Sequence, residues 1–185
     1  MVFQFKIGIK NVSNPPVWRR IQVPSQWSFD LFHKAIQAGF GWEDNHLYLF
    51  SPNGWGSEPC IGSPQWDDAK CQNASKLQLR NFFQKEKDKL VYIYDFGDDW
   101  IHDIWLEKIL DDNKINAELI DGRGKCPPED CGGSFAFMDL KEILVDPAYP
   151  DYEEIREWFG LEMDDNWDPA SINLQILKKA VHTVH

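Results

Sequence analysis

LVYIYDFGDDWIHDIWLEKI, residues 90–109, decides how this chain folds. Two apolar, aromatic-rich runs flank a short acidic break at Phe96-Gly97-Asp98-Asp99. That is the pattern of a β-hairpin, and the apolar surface it carries puts it in the core sheet. The same stretch gathers Asp95, Asp98, Asp99, Trp100, His102 and Asp103. Turn length decides what they can do together. If Gly97-Asp98 is a two-residue turn, Asp95 opposes Trp100 and Ile93 opposes His102. Asp95 and His102 are then diagonal neighbours on one face. A loop one residue longer puts them on opposite faces. On one face, an Asp–His pair could orient a general base or supply half a metal site. The plainer role is a hydrogen bond pinning the hairpin, with Asp95 capping turn amides. The Asp95-Phe96-Gly97 triplet is not a kinase motif, because no glycine-rich G-x-G-x-x-G loop or H-R-D accompanies it.

Upstream of the hairpin, Phe3, Phe5, Ile7 and Ile9 alternate with polar residues, predicting a strand over 2–9. Asn14-Pro15-Pro16 breaks it, and residues 17–23 predict its antiparallel partner. Phe29, Phe32, Ala35, Ile36 and Gly39 follow helical spacing after a serine cap, with Gly39 and Gly41 as the stop. Residues 46–50 predict a third strand with His46, Tyr48 and Phe50 on one face. Residues 52–76 predict a long loop, a binding segment or an insertion, and 76–84 a short helix. Trp55 and Trp66 in that loop either tuck onto the domain or line a pocket.

Downstream, 117–120 predicts a short strand and 122–133 (GRGKCPPEDCGG) a rigid, irregular loop. Helices are expected over 135–145, from an Asp151/Glu154 capping pattern through Phe159, and after Asp168-Pro169. The expectation is an α+β class. It has a mostly antiparallel sheet with packed helices, the helices concentrated in the C-terminal third. Residues 1–185 form a single domain ending in an acidic helical portion, 146–185.

At 43% hydrophobic residues with nine Trp, the core needs neither a metal nor a disulfide to form. No run reaches the 18 apolar residues of a membrane span. The N-terminus lacks the apolar block of a signal peptide, so the default location is cytoplasmic. The four cysteines then default to thiols or metal ligands. The net charge of −11 argues against general nucleic-acid binding. Charge is uneven, however: residues 1–42 carry five cations against Asp30, and 139–168 carry eleven acids against Lys141 and Arg156. The two regions are expected to attract each other or to solvate the domain.

Three further motifs carry candidate chemistry. Cys126 and Cys131, with Cys60 and Cys71 or with His33, His46 or His102, are the candidate zinc ligands. In the same loop Glu129 and Asp130 either cap amides or face the hairpin and ligate something. Gly132-Gly133-Ser134 opens a helix, where ordinary capping is favoured over anion binding. In Trp18-Arg19-Arg20, strand alternation sends the two arginines to opposite faces, so ion pairs with the acidic tail are expected rather than one base-stacking patch.

Taken in order, PPVWRRIQVP, FHKAIQAGFGWEDNHLYLF, YIYDFGDDWIHDIWLEKI, GRGKCPPEDCGG and the DP and EW-G elements of the tail resemble the plasmid pRiA4b ORF-3-like family over nearly the whole chain. The resemblance implies an α+β domain and no established activity. Some members are labelled transposon resolvase-like, but a serine resolvase needs an activated Ser with Arg partners, and no such cluster is evident. Members usually have Gly-Tyr shortly after CPPEDCGG, and here Ala136-Phe137 stands instead. The leading functional expectation is a cytoplasmic binding or adaptor domain for a protein or small-molecule ligand. The alternatives are a metal-dependent, hydrolytic enzyme or a DNA-associated accessory protein. The candidate cluster is His46, Asp95, Asp98, Trp100, His102, Glu129 and Asp130.

Overall fold

In the computed structural model, which describes residues 1–162 and 164–185, the hairpin lies in the middle of an eight-stranded sheet. The strands are β1 (Val2–Ile9), β2 (Trp18–Pro24), β3 (Tyr48–Ser51), β4 (Cys60–Gly62), β5 (Cys71–Asn73), β6 (Lys89–Tyr94), β7 (Trp100–Leu110) and β8 (Glu118–Arg123). Their order is β5-β4-β3-β6-β7-β1-β2-β8. All neighbours are antiparallel except β4 and β5. Four α-helices are present among the described residues: α1 (Phe29–Phe40), α2 (Gly133–Ile143), α3 (Tyr152–Trp158) and α4 (Leu174–His182).

The mixed α+β class and the antiparallel sheet agree with expectation. The C-terminal concentration of helices does not, because the longest helix, α1, lies early and carries the main apolar face onto the sheet. Ser28 accepts from Leu31 N at its start, and Gly41, at φ 87°, closes it in the left-handed region. Phe32 meets Phe5 of β1 at 4.7 Å between ring centroids, and Phe29 meets Phe50 of β3 at 5.1 Å. Burying such rings contributes roughly 1.5–3 kcal/mol each. Gly39 is a contact, not a stop: a Cβ there would lie 2.8 Å from Ile21 Cδ1, so the glycine brings α1 close to β2.

Residues 52–76 are not a structureless loop. They hold β4 and β5, each three residues long and too short to show a period. Parallel pairing sets Cys60 opposite Cys71, and the two form a disulfide, correcting the expectation of thiols or ligands. The loop tucks Trp66 against Phe96 and the small apolar cluster of Leu49, Val91 and Ile93, while Trp55 stays 46% exposed. The 76–84 segment forms 3-10 turns (Ala74–Lys76, Leu79–Asn81) in place of a helix. The last helix starts later than Asp168-Pro169 suggested, capped by Asn173, and Asp151 makes no side-chain cap to α3.

No helix among the described residues is long and apolar enough to cross a membrane. Among the described residues Arg20 pairs with Glu107 and Asp121, and Arg19 bonds only to backbone carbonyls, so neither makes the expected ion pair with the acidic tail.

Candidate functional site

The hairpin closes through a five-residue connection. Tyr94 pairs with Trp100 and Tyr92 with His102, leaving residues 95–99 as the loop. The register is one step away from a two-residue turn at Gly97-Asp98, and that step separates Asp95 from His102. The loop is possible because Asp95 and Asp99 take left-handed backbone, at φ 57° and 53°, which a short polar side chain tolerates better than most. Asp95 Oδ1 accepts from Gly97 N at 2.9 Å, so Asp95 caps a turn amide.

His102 points into the core. Its Nδ1 lies 2.8 Å from Trp100 O, and its ring packs edge-on to Phe40 and Trp42. Its Nε2 has no hydrogen-bond partner among the described residues, nor has Trp100 Nε1. Both residues are fully buried, so neither contributes a group to a surface site. Burial pushes the His102 pKa down to about 3 from 6.5. The unfolded chain therefore takes up a proton that the folded chain refuses. The contribution His102 makes to stability is full above about pH 6.5 and is lost as pH drops towards 3. Burial lowers His33 as well, with the same sign. His102→Phe is expected to flatten urea-unfolding stability against pH between 6 and 4.5 by up to about 1.4 kcal/mol per pH unit. An unchanged slope would show that His102 is not the group responsible.

The remaining candidates do converge, around a residue that sits just before β3 and outside it. His46 Nδ1 lies 3.7 Å from Asp95 Oδ1, and its Nε2 lies 3.7 Å from Glu129 Oε2 and 3.3 Å from Asp130 Oδ1. His46, Asp95 and Asp130 each offer an atom within 4.8 Å of the others. Three separate segments supply this cluster: the approach to β3, the hairpin loop and the 124–132 loop. Tyr94 Oη donates to Glu129 at 3.1 Å and accepts from Asn45 N at 3.1 Å, joining two of them. Glu43 N donates to Glu129 Oε1, and Trp42 Nε1 donates to Pro127 O. Desolvation first, and the Glu129 charge next, raise the Tyr94 pKa, so the phenol stays protonated and remains a donor.

Asp98 does not join the cluster. Its Oδ2 accepts from Gly132 N at 3.0 Å, fastening the hairpin tip to the start of α2. Cys126 and Cys131 belong to no group of three candidate ligands among the described residues. Burial pushes the Cys131 thiol up to about 12 and raises Cys126 too, opposing the thiolate that zinc binds. With Cys60 and Cys71 bonded to each other, the four-cysteine set is excluded. The sequence reading missed Tyr94 as the member that joins the loops. Its position in an apolar run marked it as core, and only the end of β6 at Tyr94 brings its hydroxyl to the site.

Comparison with known proteins finds a family model, a sequence relative and a solved structure. The family model described as plasmid pRiA4b ORF-3-like protein matches residues 1–176. An uncharacterized protein, y4hQ, from Sinorhizobium fredii (strain NBRC 101917 / NGR234) is 34% identical over 97% of this chain and 90% of its own length. The crystal structure of a protein of unknown function, MM3350, from Methanosarcina mazei Go1 superposes with a TM-score of 0.79. It is 32% identical, covering 94% of this chain and 96% of that one.

Proposed function

This chain belongs to the plasmid pRiA4b ORF-3-like family, and we propose that it is a binding domain built around a divalent-cation site at His46. The observation that carries the reading is a charge imbalance. Asp95, Glu129 and Asp130 converge on one imidazole, and among the described residues none of them has a Lys or Arg ion-pair partner. A cation relieves that repulsion. The imidazole also lies between the carboxylates: its Nδ1 is on the Asp95 side and its Nε2 on the Glu129 and Asp130 side, so an Nδ1–H tautomer would present the Nε2 lone pair to an ion there. A carboxylate behind a histidine ligand fixes its tautomer and raises its basicity. One imidazole with carboxylate oxygens suits Mn²⁺, Fe²⁺ or Zn²⁺ over soft ions. Asp130 is three-quarters exposed, so a bound ion would keep a solvent-facing side for an oxygen of the ligand.

Isothermal titration of chelator-treated protein with Mn²⁺ and with Zn²⁺ tests this. One ion should bind per chain, and Asp130→Asn and His46→Gln should each abolish the heat. Asp95→Asn should weaken binding by about 10- to 100-fold, as loss of an orienting carboxylate does. No heat and no change in melting temperature with either ion would end the proposal.

A further inference from the structure

The sheet face turned away from α1 is covered over only part of its width. Trp66 and Phe96 lie against Leu49, Val91 and Ile93 of β3 and β6. Further across, over β7, β1 and β2, Gln4 and Gln22 are buried, while Lys6, Gly8, Trp18 and Asp103 are half-buried and Trp105 is 44% exposed. A groove of about 680 Å³ runs here between Trp18 and Trp105. Its floor is Gly8, which faces Trp18 of β2 on one side and Asp103 of β7 on the other.

Gly8 is the informative residue. A glycine inside a strand is destabilising by about 0.5–1 kcal/mol relative to alanine. Its φ lies outside the left-handed region, and an added Cβ would meet only Trp18 Cβ at 3.7 Å and Val17 O at 3.9 Å. Neither backbone nor packing requires it. Its missing side chain leaves a backbone-lined spot beside Trp18 and diagonal to Trp105, where a ligand can approach closely.

The surroundings are cationic in a chain of net charge −11. A second groove adjoins the first, sharing Trp105 and Glu107. The two are lined by Lys6, Lys10, Arg20, Lys87, Lys108 and Arg123 against Asp103, Glu107 and Glu86. Lys6 and Arg20 stand over the Trp18 ring at 4.9 and 5.1 Å, and Lys89 stands over Trp105 at 5.0 Å. Lys6, Lys89, Lys108 and Arg123 have no ion-pair partner among the described residues.

We propose that this face binds single-stranded nucleic acid. A base lies on the Gly8 floor beside the indoles, and phosphates follow the surrounding cations. Aromatic platforms set in a cationic groove bind single strands in this way. An acidic peptide fits less well. β1 is hydrogen-bonded on both sides, by β7 and β2, so the groove offers no strand edge for a peptide to join. The whole-chain charge pointed away from nucleic acid because it sums the acidic tail with a face that carries a local positive excess.

The test is fluorescence anisotropy of short labelled RNA and DNA single strands, titrated with the full chain at low and at moderate salt. A labelled polyglutamate peptide serves as the competing anion. Binding should weaken with salt, and Gly8→Val and Trp105→Ala should each reduce affinity by about tenfold or more. Gly8→Val should fold, since its Cβ has room and valine favours strands. Trp105→Ala alters an exposed residue and keeps the test decisive if the valine variant is unstable. No binding of either strand at low salt, affinity unaltered in the folded variants, or polyglutamate bound as tightly through the same residues would each overturn the proposal.

Discussion

Arg19→Ala is expected to destabilise the protein by about 3 kcal/mol or more, the scale of several lost charge-assisted hydrogen bonds in a buried site. The Arg19 side chain is 1% exposed, and among the described residues it has no carboxylate partner. Four carbonyls take that place: Gly39 O at 2.7 Å, Trp18 O and Arg123 O at 2.9 Å, and Gly124 O at 3.2 Å. Gly39 O belongs to the last turn of α1, where helix carbonyls lack intrahelical donors and the dipole is negative. The guanidinium also lies 4.9 Å from the Phe40 ring. Burial lowers the Arg19 pKa from its ordinary value without a carboxylate to oppose the shift. One side chain thus ties β2, the end of α1 and the loop leaving β8. Alanine leaves those carbonyls facing a void. Lysine restores charge but not the fork, so Arg19→Lys should recover only a minor part of the loss. Urea unfolding checks this, and a loss below about 1 kcal/mol would show that water or neighbouring amides satisfy the carbonyls.

Arg19 also shows what the sequence could and could not tell. Alternation along Trp18-Arg19-Arg20 set the two arginines on opposite faces, and that holds. It could not say which carbonyls would surround the inward one, because Arg123 and Gly124 lie a hundred residues away and the α1 terminus is a third element. The hairpin divides along the same line. Two apolar runs about an acidic break made the strands legible, and their register turned on one residue of loop length. Aspartate at positive φ, which resolves it, leaves little trace in composition. His46, Glu129 and Asp130 were legible as chemically capable residues in loops. Their convergence was not, since it follows from Tyr94 and Trp42 fastening segments distant in sequence. The 52–76 segment was misread because strands of three residues show no period, and the disulfide follows from their parallel pairing.

Gly133→Ala is expected to have its largest effect on the candidate site, beyond its effect on the fold. Gly133 opens α2 at φ 81°, and a Cβ there would lie 2.3 Å from Asp98 O, a backbone atom that cannot turn aside. Left-handed backbone alone costs a non-glycine residue about 1–2 kcal/mol, and overpacking adds about 1–3 kcal/mol. The clash acts at the junction where Asp98 holds Gly132 N, so relief means moving the hairpin tip away from the 124–132 loop. That motion parts Asp95 from Glu129 and Asp130, which reach His46 from opposite sides of the junction. Gly160→Ala separates the two terms. Gly160 sits at φ 66° with nothing within 4 Å of an added Cβ, so that variant carries the backbone strain without the collision. Melting temperatures should then fall for both variants, further for Gly133→Ala, while Mn²⁺ or Zn²⁺ titration should lose affinity only in Gly133→Ala. Equal loss in both would trace the effect to general destabilisation. Full affinity in Gly133→Ala would mean that the two loops can part without disturbing the groups around His46, and that the Asp98 junction does not position them.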